Sequence, residues 1–269
     1  MLKAERHQRI LERIQQSGAA VTVRDLAQAF CTSPITIRRD LIELGERGLL
    51  ERTHGGAIAT REVLAEGSAR YEMYSYPERH LQQATEKAQI AECAAQFVSD
   101  GDSILINAGT TAHALAQALR GHQDLHVITN GLTVAAALSQ SHLAHVYVLA
   151  GRLDARKQAT IERPDSDGFP DIQIREAFLG VHAVCASGIY MRDNEDAAMN
   201  RAFVASACLV TVLADHTKLT AHASFRICGW SQVHRLITDP GADAHVLESI
   251  RSQGVEVVVC GQDGAATSA

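Results

Sequence analysis

The residues of this 269-residue chain that could do chemistry gather at a few points, each just after a short apolar run. SILI ends in Asn107-Ala108-Gly109-Thr110-Thr111, HVIT leads into Thr129-Asn130-Gly131, VYVL into Ala150-Gly151-Arg152, and LVTVL into Asp215 to Lys218. That pattern suits an anion. Glycine lets backbone amides approach it, hydroxyls donate to it, and the next helix turns its positive end toward it. Asn107, Gly109, Thr110 and Thr111 thus form a candidate phosphate cradle, with Lys218 as the compensating cation. Thr129, Asn130, Gly151 and Arg152 are the further candidates on the same edge. Any one such loop could be a plain strand-to-helix turn; four on one edge favour a site.

A second group lies near the amino terminus, in TSPITIRRDLIELGERG. Ser33 and Pro34 start a helix there, a hydroxyl at the N-cap and proline at the first helical position. Ile37, Leu41 and Leu44 share one face and pack inward. Ile35, Thr36 and Arg39 fall opposite, with Arg38 on the flank. An arginine can grip guanine O6 and N7 with two hydrogen bonds, or anchor on a phosphate. Ser33, Thr36, Arg38 and Arg39 are therefore candidate contacts to double-stranded DNA, with Arg52 and His54 added from a following hairpin. The plainer alternative is a solvated arginine pair on an ordinary three-helix domain.

The elements that must position these groups are legible. Leu2, Ile10, Leu11 and Ile14 give a first helix its apolar stripe, and Ser17-Gly18 ends it. Thr22 caps a short second helix, with Asp25 as its capping-box partner. After Gly48, LLERTHGGAI reads as a small β-hairpin. Residues 1–58 thus read as a winged helix-turn-helix and 59–84 as a linker, partly helical. Residues 85–269 read as an α/β domain. There SILIN, HVIT, VYVLAG, AFLGV, LVTVLAD, RLITD and VEVVVC alternate with helices such as HALAQALRG, the signature of a mostly parallel sheet. In such sheets ligands bind at the carboxyl ends of strands.

Composition limits the alternatives. Net charge is −6. Residues 1–56 hold nine Lys and Arg against seven Asp and Glu, while the remainder holds sixteen against twenty-four. A basic head on an acidic body suits a DNA reader whose body stays off the phosphates. No apolar run approaches the roughly 20 residues of a membrane span. The charged start MLKAERHQRILERIQQ is not a signal peptide, so a cytoplasmic location is expected. Cys31, Cys93, Cys185, Cys208, Cys228 and Cys260 show no metal-knuckle spacing and are expected to be buried free thiols. The thirteen histidines are not read as a metal site, and no metal or cofactor is expected.

The stretch from Arg6 to Ala57, with TIRRDL and RTHGGA, resembles the DNA-binding head of the DeoR family of bacterial regulators. The resemblance continues into the body. NAGTT is similar to the family's DSGTT, TNG to its TN, AG to its GG, and ADHTK to its D-S-S-K. The last also resembles ADxSK of ribose-5-phosphate isomerases, whose fold the family's sensor shares. NEDAAMNRAF is most similar to the branch that regulates amino-sugar catabolism. The resemblance implies a repressor released by a phosphorylated sugar and working as a homo-oligomer, a dimer or tetramer. Asn107 stands where Asp is usual, Ala150 replaces a Gly, Glu162 and Arg175 replace Gly and Asp, and residues 156–177 match poorly.

The alternative is an isomerase-like enzyme of sugar phosphates tethered to DNA. An aldose–ketose isomerase needs a carboxylate base, and the related enzymes carry an acidic cluster after the strand that here reads FLGVHAV. This chain has His182 and Ala183 there. Glu195 is a carboxylate near the expected pocket, equally suited to bind sugar hydroxyls. No catalytic residue is therefore assigned.

Overall fold

The protein is described by a computed structural model covering residues 6–7, 9–11, 13–14, 21–30, 32–46, 50–53, 55–58, 76–139, 144–162 and 173–261. The chain divides into two compact units, Met1–Tyr74 and Ser75–Ala269.

In the first unit, positions 6–7, 9–11 and 13–14 are helical and bury Ile10, Leu11 and Ile14. Helix α1 (Val23–Ala29) is capped by Thr22, whose Oγ accepts from Asp25 N and donates to the Asp25 carboxylate. Helix α2 (Pro34–Glu46) starts on Ser33, whose Oγ accepts from Thr36 N. Ile37, Leu41 and Leu44 enter the core with Leu26 and Val23. The hairpin β2 (Glu51–Thr53) and β3 (Gly56–Ile58) forms as expected. A third strand, β1 (Val21–Thr22), pairs with β3, which the sequence reading did not anticipate. Gly56 is required there: a Cβ would meet Val21 O at 2.1 Å.

The second unit opens with helix α3 (Tyr76–Leu81), inside the stretch read as linker, and α4 (Ala84–Ala95). A seven-stranded, all-parallel sheet follows: β4 (Ser103–Ile106), β5 (Leu125–Thr129), β6 (Ala144–Val148), β9 (Ile174–Gly180), β12 (Ala207–Leu213), β14 (Arg235–Thr238) and β15 (Glu256–Val259). Its order is β15-β14-β12-β9-β4-β5-β6. Every strand named in the sequence lies in it. The chain runs outward from β4 through β5 to β6, then returns to β9 on the other side of β4. The β4/β9 junction is therefore the topological switch point, where such sheets open a crevice beyond the strand ends. Helices α5 (Thr110–Ala118), α6 (Leu132–Leu138), α7 (Asn194–Ser206), α8 (His216–Leu219) and α9 (Ala244–Arg251) accompany the sheet. Apolar cores line its two faces, one around Leu105, Leu179 and Phe203, the other around Ile104, Leu115 and Phe178. Two small sheets were not legible beforehand: β7 (Arg152–Asp154) with β8 (Ala159–Ile161), and β10 (Ala183–Cys185) with β11 (Gly188–Met191) and β13 (Phe225–Cys228). Cys31 lies outside the described residues, and three of the five described cysteines depart from expectation. Cys228 and Cys260 are buried, but Cys93 and Cys185 are half-buried and Cys208 is exposed.

Candidate functional site

Helix α2 turns its buried stripe inward and leaves Ser33, Arg38 and Arg39 exposed at and beyond its start, with Thr36 half-buried. Ile35 is 76% exposed on the same outer side. The Ser33 hydroxyl is shared with the Thr36 hydroxyl at 2.8 Å, so it shapes the helix start as well as facing outward. Arg52 belongs to β2; its side chain, and His54 altogether, lie outside the described residues. What fixes the helix is Asp40, 1% exposed on its inner side. Arg6 Nε donates to it at 2.6 Å, and His7 Nε2 sits 2.9 Å away. Burial alone would raise the Asp40 pKa; the bonds from Arg6 and His7 outweigh it and hold the carboxyl below its ordinary range.

In the second unit the predicted loops line up at the carboxyl edge, but several of their side chains bind the protein itself. Asn107 is 1% exposed. Its Nδ2 donates to Gly180 O and to Asn200 Oδ1, both at 2.8 Å, and its Oδ1 accepts from Gly180 N at 2.9 Å. It stitches β4 to β9 across the switch point. Asparagine fits because donors and acceptors are both needed; an aspartate would offer only acceptors. Asn130 accepts from Ala108 N and donates to Thr160 O, clamping the two loops together. Thr129, fully buried, accepts from Gly131 N. Gly151, at φ 142°, lets the chain pass β8 where a Cβ would meet Ile161 O at 2.6 Å. Arg152 and Glu195 are brought together at 2.8 Å, with 62% and 61% of their side chains exposed. A pair so exposed is worth under about 1 kcal/mol.

Three further groups complete this edge. The start of α5 has no side-chain cap: Gly109 stands at the N-cap with room beside it. Its first amides have no partner within the helix, and Thr110 and Thr111 carry hydroxyls there. Across the switch point, Asp215 caps α8 by accepting from Thr217 N. Lys218 follows, only 5% exposed, with Nζ 3.8 Å from Asp215 Oδ2. Burial pulls its pKa down to about 7. It is not a surface lysine. The strands that deliver it and Asn107, β12 and β4, are separated by β9 alone, about 10 Å at the usual strand spacing.

Sequence reasoning missed several residues of this edge. Lys87 on α4 is 3% exposed and donates to Arg79 O at 2.7 Å and to Gln82 O. Burial lowers its pKa to about 8 against the attraction of Asp215. The signal was present: Lys87 shares the buried stripe of Ile90, Ala91 and Ala94 at helical spacing. Asn200 likewise lies on the buried stripe of α7 with Ala197 and Val204. Asp193 and Asp196 both bind Lys157, the second at 3.0 Å. Burial raises Asp196 to about 6, helped by Asp193 and opposed by Lys157. His182 Nδ1 accepts from Arg192 N at 3.2 Å. Burial, with Arg192 and Arg79 nearby, pushes its pKa down to about 3, so it is neutral near pH 7.

A winged helix-turn-helix with outward arginines, joined to a parallel α/β body with a polar crevice, defines a DNA-binding transcriptional regulator. Residues 6–63 match the DeoR-like helix-turn-helix domain, and residues 82–240 match the DeoR C terminal sensor domain. The chain belongs to the DeoR family. The glycerol-3-phosphate regulon repressor of Haemophilus influenzae is 31% identical over 97% of this chain and 98% of its own length. The HTH-type transcriptional repressor CsqR of Escherichia coli is 30% identical, covering 96% of each chain. A regulator named for repression of the aga operon in Escherichia coli O157:H7 is 27% identical over 96% of this chain and 94% of its own. Among solved structures, ribose 5 phosphate isomerase A from Neisseria gonorrhoeae aligns with a TM-score of 0.35 and 17% identity, over 49% of this chain and 52% of that one. The sheet order, rather than that overlap, carries the fold assignment. Among the described residues no helix is long and apolar enough to cross a membrane.

Proposed function

We propose that the protein represses a carbohydrate-catabolism operon and leaves its operator when a phosphorylated sugar binds the second unit. The observation that carries this reading is the buried Lys218 on the same sheet edge as the uncapped α5 start with Thr110 and Thr111. A nearly dianionic phosphate would take the loop amides and hydroxyls on one side and the ammonium on the other, as charge-assisted hydrogen bonds. A relative named for a glycerol-3-phosphate regulon agrees with a phosphorylated ligand. Asn107, Thr129, Asn130 and Gly151 shape the cradle; Arg152 and Glu195 border it. In the head, α2 reads the major groove through Arg38 and Arg39, with Ser33, Thr36, Arg52 and His54 positioned on the backbone. One such head covers little DNA, so two or more act together in a homo-oligomer; a monomer on its operator in light scattering would overturn that.

The regulator reading is preferred to the enzyme. An isomerase needs a proton acceptor free over the substrate. His182 is held neutral with Nδ1 engaged, Asp193 and Asp196 are both tied to Lys157, and Glu195 is an exposed partner of Arg152. Operator DNA taken from upstream of its own and neighbouring genes should shift with the protein and be released by one member of a panel of sugar phosphates. Incubation with the same panel should yield no isomer.

A further inference from the structure

Helix α3 (Tyr76–Leu81) lies in what the sequence suggested was linker, yet its side chains are deployed over the effector edge. Tyr76 is 9% exposed and meets His113 of α5 edge-on, with ring centroids 6.3 Å apart. His80 meets the same ring at 5.3 Å. His113 is itself tied to Thr133 O at 3.0 Å, so these rings sit over the starts of both α5 and α6. Arg79 is a largely desolvated cation, attracted by Asp196 and Asp154 and repelled by Arg156. The helix is held from below, since buried Lys87 donates to Arg79 O and Gln82 O at its end.

The polar atoms of this helix are unusually idle for their depth. Arg79 Nε and His80 Nδ1 are buried without a hydrogen bond, and the buried Tyr76 Oη has the Thr133 hydroxyl as its side-chain neighbour. Each such group forfeits solvation with nothing in return. Two on one short helix, beside a buried tyrosine hydroxyl over the start of the phosphate cradle, is the arrangement expected of a site whose remaining partners arrive with the ligand.

We propose that α3 forms a wall of the effector site, and that Arg79 and Tyr76 bind the hydroxyl- or carbonyl-bearing carbons of the sugar phosphate rather than its phosphate. This rests on the function proposed above and adds to it a basis for choosing among phosphorylated compounds. Arg79 acts as a fork of donors for adjacent sugar oxygens, a geometry lysine cannot reproduce. Tyr76 supplies one hydroxyl at the α5 and α6 starts. Among the described residues the helix is also the first element of the second unit.

The test uses the full chain, inorganic phosphate, and a panel of hexose 6-phosphates, hexosamine 6-phosphates and glycerol 3-phosphate, with binding read by calorimetry. For the tightest panel member, Arg79→Gln should weaken binding about tenfold or more, the scale of a charge-assisted hydrogen bond. Tyr76→Phe, which keeps the ring packing, should weaken it about three- to tenfold. Both variants should hold inorganic phosphate within about twofold of the parent. Arg79→Lys should not restore the affinity. Circular dichroism and thermal unfolding show whether each variant is folded, and Tyr76→Phe carries the test alone if Arg79→Gln is not. If no panel member binds the parent more tightly than inorganic phosphate, the proposed function falls and this inference with it. If one does, and the folded variants bind it like the parent or lose inorganic phosphate equally, the inference alone is overturned.

Discussion

Lys218 offers the sharpest perturbation. Its ammonium is buried, and burial takes its pKa from an ordinary 10.5 down to about 7. At about 1.4 kcal/mol per unit, that is on the order of 5 kcal/mol against the charged form in the free protein. A phosphate dianion would reverse the preference. The sign follows directly. In the free protein the group is largely protonated below about pH 7 and largely neutral above it; in the complex it stays protonated. Affinity should therefore fall as pH rises above 7, losing roughly 15-fold between pH 7 and 8.5, and binding at pH 8 should take up about 0.9 proton. Phosphate itself loses its second proton near pH 6, so affinity should peak at about pH 6–7. Calorimetry in buffers of different ionisation enthalpy measures the proton uptake. Lys218→Met should abolish both the uptake and the release from DNA while raising the unfolding midpoint of the free protein, because a buried ammonium is replaced by an apolar chain. The native lysine has a depressed pKa, so its destabilising contribution should fade as pH rises from about 7 toward 10.5. Parental affinity that is flat across pH 7–8.5 (about 1.5 units), or a methionine variant that binds the phosphorylated effector as tightly as the parent, would refute the reasoning.

Arg39→Ala should leave the fold intact, since the residue is exposed on α2, and cost about 1–3 kcal/mol of operator affinity at one base position, read by mobility shift across operator variants. Asp40→Asn should destabilise the head by about 2–3 kcal/mol in thermal unfolding, because Arg6 and His7 lose a charged acceptor. With its pKa depressed, Asp40 stabilises fully above the ordinary carboxylate range, and that contribution should be lost as pH falls through its folded value. Asn107→Asp should cost about 1–3 kcal/mol by chemical denaturation, as it sets a carboxylate against Gly180 O and Asn200 Oδ1.

Much of this protein was written locally. Helix α2 follows from the Ser33 cap, Pro34 and the Ile37–Leu41–Leu44 spacing, all read within one turn or two. The inner sheet strands follow from short apolar runs, because a strand covered on both faces must be apolar throughout; the edge strand β6 is as apolar in sequence yet leaves Tyr147 and Val148 exposed. The loops after them named the candidate edge, since parallel strands all end on one side. Tertiary structure alone decided what each polar side chain there does. Asn107 and Asn130 look like ligands in sequence, yet both are consumed by backbone groups on strands and loops up to 73 residues away. Arg152 and Glu195 look like site residues and meet as an exposed pair. Strand β1 has two residues and no local signal; only the approach of Gly56 makes it a strand. Arg79 and Tyr76 were passed over because charge and aromaticity on a helix carry no mark of burial, which depends on what packs against them; Lys87 was passed over although its helical spacing to Ile90, Ala91 and Ala94 marked the buried face. Lys218 shows both sides. Its place after a buried strand was legible, but the depressed pKa that fits it to a dianion comes from desolvation, and desolvation is a property of the whole packed edge.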